Sequence, residues 1–443
     1  MNPFLAAASA VAMVTVFGPA AHAQVAAPAT PRVGTPIAGR PMGPPAPSPR
    51  TDLPLASPRD GPLPASLTLE QALDEAEARA PAIVAARAGV AAAEARIRQA
   101  GVRSNPEISV EVENFAGTGE FNGTRGLETT VALNQRLDLG GRRRSRVGVA
   151  RAELAAALLR LQIMRADLAR DVRVQFARSI TARDRLVLAR DNDLRARELA
   201  RIAGQLVDAG RDPPLRGLRA RSAASQVAAE LLAAQAEEEA SRRTLASLFG
   251  VTAPPARLVG GLLDLQPGTL DPEHSLDVRL ADAERLAAEA DVAQQLAARN
   301  LDPAIGIGVR QFRGSGDVAL VGGISMPLPV FDRNQGNIAA ARADVIGAEA
   351  RRASVLASVT MRARNAIAAV DAAHARVRAL EGAAIPEAFE ALQLGRISYR
   401  EGRASLLELL DAQNAYTAAE GALIDARLAL ALATAELGRV AAR

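Results

Sequence analysis

Glu107-Ile108-Ser109-Val110-Glu111-Val112-Glu113 and Ala304-Ile305-Gly306-Ile307-Gly308-Val309-Arg310 are the stretches whose reading decides the fold. Both alternate, as a half-buried strand must, because successive side chains of a strand leave on opposite faces. In the first, Ile108, Val110 and Val112 share one face while Ser109, Glu111 and Glu113 share the other. Two ionised carboxylates on one face require water. In the second, Ile305, Ile307 and Val309 oppose Gly306, Gly308 and Arg310, so charge again lies across from an aliphatic face. A sheet with lipid on one side and an aqueous lumen on the other satisfies both patterns, with Glu111, Glu113 and Arg310 facing the lumen. Strands of about ten residues suit a bilayer, although a soluble sandwich also accepts them.

Each stretch sits inside a longer series. The first runs helix (about Thr68 to Ala100), Asn105-Pro106, strand Glu107–Phe115, a Gly/Asn/Thr loop, strand Leu127–Leu137, then Asp138-Leu139-Gly140-Gly141-Arg142 opening a helix. The second runs helix (about Leu276 to Asn300), Asp302-Pro303, strand Ala304–Phe312, a Gly-Ser-Gly loop, strand Val318–Leu328, then Phe331-Asp332-Arg333-Asn334-Gln335-Gly336 and a helix. Pro106 and Pro303, Gly210 and Gly402, Gly250 and Gly438 recur about 190 residues apart, which predicts a tandem duplication into halves 67–250 and 251–443. Four strands cannot close a barrel, since the smallest packed barrels need about eight. Several chains must therefore contribute.

The helices are longer than a globular domain can use. Arg142 to Ala209 spans roughly 100 Å and Gly336 to Gly395 roughly 90 Å at the helical rise, with Pro386 alone interrupting the second. Such rods need partners along their length. In the last helix Leu409, Tyr416, Leu423, Leu430 and Leu437 recur every seven, with Ala412, Ala419, Ala426 and Ala433 in the other seam position. That heptad alternates large and small knobs and brings helices close, the expected neighbour being the preceding helix. The chain folds back at Tyr399-Arg400-Glu401-Gly402, and its counterpart is Val207-Asp208-Ala209-Gly210, followed by Asp212-Pro213-Pro214.

Composition narrows the function. The chain has 53 basic residues, all Arg, against 49 acidic ones, a net charge of +4. They alternate along helical stretches as on solvated faces, so nucleic-acid binding is not indicated. With no Cys there is no disulfide, no thiolate metal site and no lipid-bearing cysteine. Aromatics are only 2%, without Trp, so Ala-rich helix packing replaces an aromatic core. Residues 1–23 read as a secretory signal peptide, an apolar run broken at Gly18-Pro19 before Ala21-His22-Ala23, and residues 24–66, with nearly half of the 26 prolines, read as a disordered tether. No later stretch is apolar for long enough to span a bilayer as a helix, so insertion must be as strands. His274 and His374 have no second ligand at helical spacing, and no nucleophile triad, phosphate loop or paired-carboxylate pocket stands out, so neither an enzyme nor a cofactor is expected. Phe115, Phe121 and Phe312, near strand ends, are candidates for an interfacial girdle or for packing.

Three segments carry a resemblance: Gln135-Arg136-Leu137-Asp138-Leu139-Gly140-Gly141-Arg142, Pro327-Leu328-Pro329-Val330-Phe331-Asp332-Arg333-Asn334-Gln335-Gly336-Asn337-Ile338, and Tyr399-x-x-Gly402 leading into Leu409-Leu410-Asp411-Ala412. Along nearly all of its length after the tether the chain resembles the TolC-like outer-membrane efflux factors, and the second segment looks most like the branch serving cobalt–zinc–cadmium resistance pumps. The resemblance implies a mainly helical homotrimer of a Gram-negative outer membrane. In it, four strands per chain complete a 12-stranded barrel in lipid, and long antiparallel hairpins form a helical barrel in the periplasm. It also implies a periplasmic adaptor (a membrane fusion protein) meeting the tips at Gly210 and Gly402, and an inner-membrane pump, of the RND type in this branch. It places a periplasmic gate at Glu408, Asp411 and Tyr399. Ala404 departs from relatives that carry an Arg there, and carboxylates on a helix face also serve simply to solvate it. The cargo expected is heavy-metal cations. Other cargoes are drugs or, in type I secretion, proteins, and a rival of another class is a periplasmic coiled-coil adaptor or structural rod.

Overall fold

The chain enters its fold at the end of the Pro-rich segment. A computed structural model describes residues 61–261 and 270–442; the signal-peptide reading and residues 24–60 of the tether lie outside them. Leu63 is already buried, and strand β1 (Ser66–Leu67) pairs with a strand far along the chain, so the expected tether gives way to structure before Leu67. Thr68 then starts helix α1 (Leu69–Arg79) with a capping box: Gln71 N donates to Thr68 Oγ1 at 3.2 Å, and Gln71 Oε1 accepts from Thr68 N at 3.0 Å.

The single helix expected from Thr68 to Ala100 is two. Ala80 is extended (φ −58°, ψ 125°) and Pro81 opens α2 (Pro81–Ala100). Proline excludes its predecessor from the helical region and has no N–H to donate, so it begins a helix rather than continuing one. Strands β2 (Glu107–Glu113) and β3 (Glu128–Arg136) follow, then α3 (Arg142–Asp208) and α4 (Pro214–Leu248). Strand β4 (Arg257–Leu258) lies parallel to β1. The series then runs α5 (Leu276–Ala298), β5 (Ala304–Phe312), β6 (Val318–Ser325), α6 (Gln335–Ala379), α7 (Ile385–Arg400) and α8 (Leu406–Val440).

The long rods are present. Helix α3 runs 67 residues without a break. Its counterpart does not: a π-turn at Leu380–Ala384 separates α6 from α7. Pro386 is the cause, since its missing N–H and its ring clash with the carbonyl one turn back are relieved by the wider turn. Strand β2 stops before Phe115 because Asn114 turns to φ 57°, and β6 stops before Pro327 and Pro329.

Apolar packing is spread along the rods. Midway along α3, Val172, Phe176 and Ile180 bury against Ala72, Ala76, Ile83, Leu245 and Phe249, with Leu67 and Leu258 of the β1–β4 pair. Towards the tips, Leu199 and Ala203 of α3 meet Ala220, Leu392, Tyr399, Leu406 and Leu409. The heptad positions of α8 are buried or half-buried without exception. Its neighbours are more than the preceding helix: it packs on α7, α6 and α3.

Candidate functional site: the two-faced sheet and the hairpin tips

One antiparallel sheet holds four strands in the order β2-β3-β5-β6. Its register aligns Val110, Val131, Val309 and Leu320 in one row and Ile108, Leu133 and Ile307 in the next. These side chains are exposed, Ile108 by 71% and Leu320 by 81%. Two rows of aliphatic side chains facing outward are a patch that water does not tolerate. The opposite face aligns Glu111 with Thr130 and Arg310, and Glu113 with Glu128 and Phe312. Arg310 gathers this face together: its guanidinium lies 2.9 Å from Glu113 Oε2 and 3.1 Å from Glu128 Oε2, and its Nε donates to Thr130 Oγ1 at 2.9 Å.

The structure thus brings Glu113 and Arg310 into contact and leaves Glu111 in line with Arg310, on the same face, with no ion pair to it. Glu128 and Thr130 were not singled out from the sequence, because Glu128-Thr129-Thr130 shows no apolar alternation and only the register places them opposite Arg310. Phe312 shares the charged face, so it belongs to no outward aromatic band, whereas Phe115 and Phe121 are exposed beyond the strands. Glycine on this face is steric: a Cβ on Gly308 would lie 2.6 Å from Val131 O.

Where sheet meets helices, the Phe331–Asn337 signature is a corner. Asn334 takes φ 58° and donates from its backbone N to Asp332 Oδ1 at 2.8 Å, while its amide nitrogen reaches Gln295 O at 2.8 Å. Gly141, at φ 79°, makes the same left-handed entry to α3, where Arg142 binds Asp302 at 2.9 Å and the carbonyls of Ala298 and Asn300.

The two tips end alike. Gly210 (φ 67°) and Gly402 (φ 75°) are left-handed, and the residue after each, Arg211 or Arg403, donates its N–H at 2.8 Å to the carbonyl of Leu206 or Ser398. Both glycines are exposed. The hairpins are joined by Tyr399, which is buried and donates to Asp212 Oδ2 at 3.4 Å; Asp212 also pairs with Arg216. Burial pushes the Tyr399 phenol up, and the Asp212 charge adds to it. Asp212 was missed because the matching position of the other tip is Ala404.

Tyr399 therefore lies buried in the seam between hairpins, whereas the carboxylates of Glu408 and Asp411 are exposed. Glu408 closes a capping box, accepting from Ser405 N at 2.6 Å while Ser405 Oγ accepts from Glu408 N at 3.3 Å. The Ser405 backbone N–H, then its hydroxyl, hold the Glu408 carboxyl below its usual value. His274 pairs with Asp271 at 2.7 Å, and among the described residues no cluster of three or more His, Asp or Glu is placed to hold a metal. No helix among them is long and apolar enough to cross a membrane.

A sheet greasy on one face and charged on the other, fused to helical hairpins of this length, defines a channel-forming subunit of the outer membrane. The chain belongs to the outer membrane efflux protein family, which it matches over residues 72–251 and 272–443. That family consists of channels rather than enzymes, and its members work with an adaptor and an inner-membrane pump. The nickel-cobalt-cadmium resistance protein NccC of Alcaligenes xylosoxydans xylosoxydans is 31% identical over 315 residues, 70% of this chain and 70% of that protein. The nickel and cobalt resistance protein CnrC of Cupriavidus metallidurans is 34% identical over 304 residues, 67% of this chain and 72% of that protein. The crystal structure of the outer membrane protein VceC from Vibrio cholerae shares the fold at a TM-score of 0.70 and 22% identity, covering 84% of this chain and 96% of that one.

Proposed function

We propose that three copies of the chain close a 12-stranded barrel in outer-membrane lipid and continue as a helical tunnel through the periplasm, a passive conduit for heavy-metal cations. The observation that carries this is the sheet itself. Within one chain it has two open edges, β2 and β6, and an exposed aliphatic face. Pairing β6 of one copy with β2 of the next satisfies the edge N–H and C=O groups, which bare hydrocarbon forbids leaving open. The charged face, with Glu111, Glu113 and Arg310, then lines water.

In this reading residues 1–23 direct export, the Pro-rich tether runs from 24 up to the structured residues that begin before Leu67, and 67–250 and 251–443 are duplicated halves. Gly210 and Gly402 mark the tips where a periplasmic adaptor docks, linked to an RND-type pump. Glu408 and Asp411 of three chains form the narrow periplasmic end, where a ring of carboxylates favours cations. The Tyr399–Asp212–Arg216 contact ties the hairpins of each chain together. Support for the cargo comes from the metal-resistance names of the relatives.

Because the chain has no cysteine, single introduced pairs test the closure cleanly. Cysteines placed one in β2 and one in β6 are expected to link a detergent-resistant oligomer into covalent trimers in outer-membrane fractions. Recovery as a soluble monomer refutes the assembly. Deleting the gene is expected to lower tolerance to nickel, cobalt, zinc or cadmium; unchanged metal tolerance with lowered dye or drug tolerance refutes the cargo.

A further inference from the structure

Beside the tips, between α3, α7 and α8, lies a cavity of about 290 Å³ whose lining charge is lopsided. Arg195, Arg396 and Arg400 converge on it, and Glu198 is its lone carboxylate. Glu198 is already held by Arg201, at 2.6 and 2.8 Å. Arg195 has neighbours of its own: it lies over the Tyr416 ring at 5.3 Å and 3.7 Å from Glu420. Arg396 is half-buried and makes no hydrogen bond or ion pair among the described residues, whereas the exposed Arg400 adds its charge to the field that Arg201 exerts on Glu198. Burial, then the adjoining Arg195 and Arg400 charges, hold the Arg396 guanidinium below its ordinary value. Leu199, Ile202 and Leu409 supply an apolar floor.

A cluster of like charges over an apolar floor is a cost to the isolated chain that a partner carboxylate removes, and a desolvated guanidinium–carboxylate contact is the type that sets partner choice. The cavity's position narrows the occupant. At 100° per residue, Leu409 and Gln413 lie about 160° and 200° round α8 from Asp411, so the cavity is on the side of α8 away from that carboxylate. It is also next to the tip: Arg400 is two residues before Gly402, and Ile202 is one to two turns before the end of α3.

We propose that this cavity receives an acidic side chain, with an apolar neighbour beside it, from the periplasmic adaptor that engages the tips, and so serves as a specificity pocket across both hairpins. The proposal rests on the docking reading above. Its test uses the full-length assembly in detergent with its purified adaptor. Arg396→Glu is expected to weaken adaptor binding about tenfold or more, Arg396→Lys to stay within about threefold, and the salt dependence of binding to flatten in the Glu variant. Arg396→Gln, which relieves like-charge repulsion, is expected to melt no lower than the parent and so controls for folding.

A photocrosslinker at Leu194, an exposed residue on the rim, is expected to capture an acidic segment of the adaptor. Arg396→Glu binding at the parent's affinity overturns the pocket, as does capture of a second copy of this chain from position 194. Crosslinkers at Arg211 and Arg403 separate the two readings. If they trap the adaptor while position 194 does not, docking at the tips stands and the pocket falls; if none traps it, both fall.

Discussion

Removing the Arg310 side chain asks most directly whether the charged face is a built surface. Two ion pairs, to Glu113 at 2.9 Å and Glu128 at 3.1 Å, and the bond to Thr130 would be lost. Each pair at a half-exposed site is worth about 0.5–1 kcal/mol. A further effect is what remains: Glu113 and Glu128 are direct cross-strand partners, and like charges so placed repel by about 0.5–1 kcal/mol. Arg310→Gln is therefore expected to cost about 2 kcal/mol per chain. The assay is thermal dissociation of the detergent-resistant oligomer, compared among parent, Arg310→Gln, Glu128→Gln and the double variant. If the charges act as a unit, the double variant recovers about a quarter to a half of the loss of Arg310→Gln, because the repulsion of about 0.5–1 kcal/mol has gone. Equal melting of parent and Arg310→Gln, or a double variant no better than the single one, refutes the reasoning.

Gly308→Ala places a Cβ 2.6 Å from Val131 O and is expected to destabilise the sheet by roughly 1–3 kcal/mol, read as earlier melting, whereas Gly323→Ala, which meets nothing within 4 Å, is neutral. Tyr399→Phe loses the bond to Asp212 but keeps the buried ring, so the expected result is unchanged oligomer stability with more frequent openings in planar-bilayer recordings. Glu408 has a folded-state pKa held down by Ser405, so its capping contribution is present above the usual carboxylate range and is lost as pH falls through the lowered value. Glu408→Gln keeps the capping box and is expected to remove the part of any acid-induced change in conductance that belongs to this residue.

Much of this architecture was legible because lipid and water impose period two on strands, and rods that need partners impose period seven. Ile108, Val110 and Val112 pointed to their face before any pairing was known, and Leu409 to Leu437 to their seam. The breaks were less visible. Pro81 and Pro386 each interrupt an expected helix, but one gives an extended residue and a new helix, and the other a π-turn within a nearly continuous rod. Both consequences depend on tertiary support that residue identity does not express. Glu128 and Asp212 were hidden for a similar reason: a partner across strands or between hairpins is fixed by register, and neither lies in a repeating pattern.

The segments that identify the family turn out to say little about cargo. Phe331–Asn337 is used up in building a corner: Asp332 and Asn334 fix the turn, and Asn334 ties it to Gln295 of α5. Gly402 and Gly210 serve a left-handed helix stop. A conduit that only has to let cargo pass places its chemistry in the sign of the charge along its wall, not in a ligand set, so selectivity is carried by many weak positions. The charged sheet face illustrates this. Arg310 offsets part of the field of Glu111, Glu113 and Glu128 without abolishing it, so the face that the proposed barrel turns to water stays acidic and favours cations.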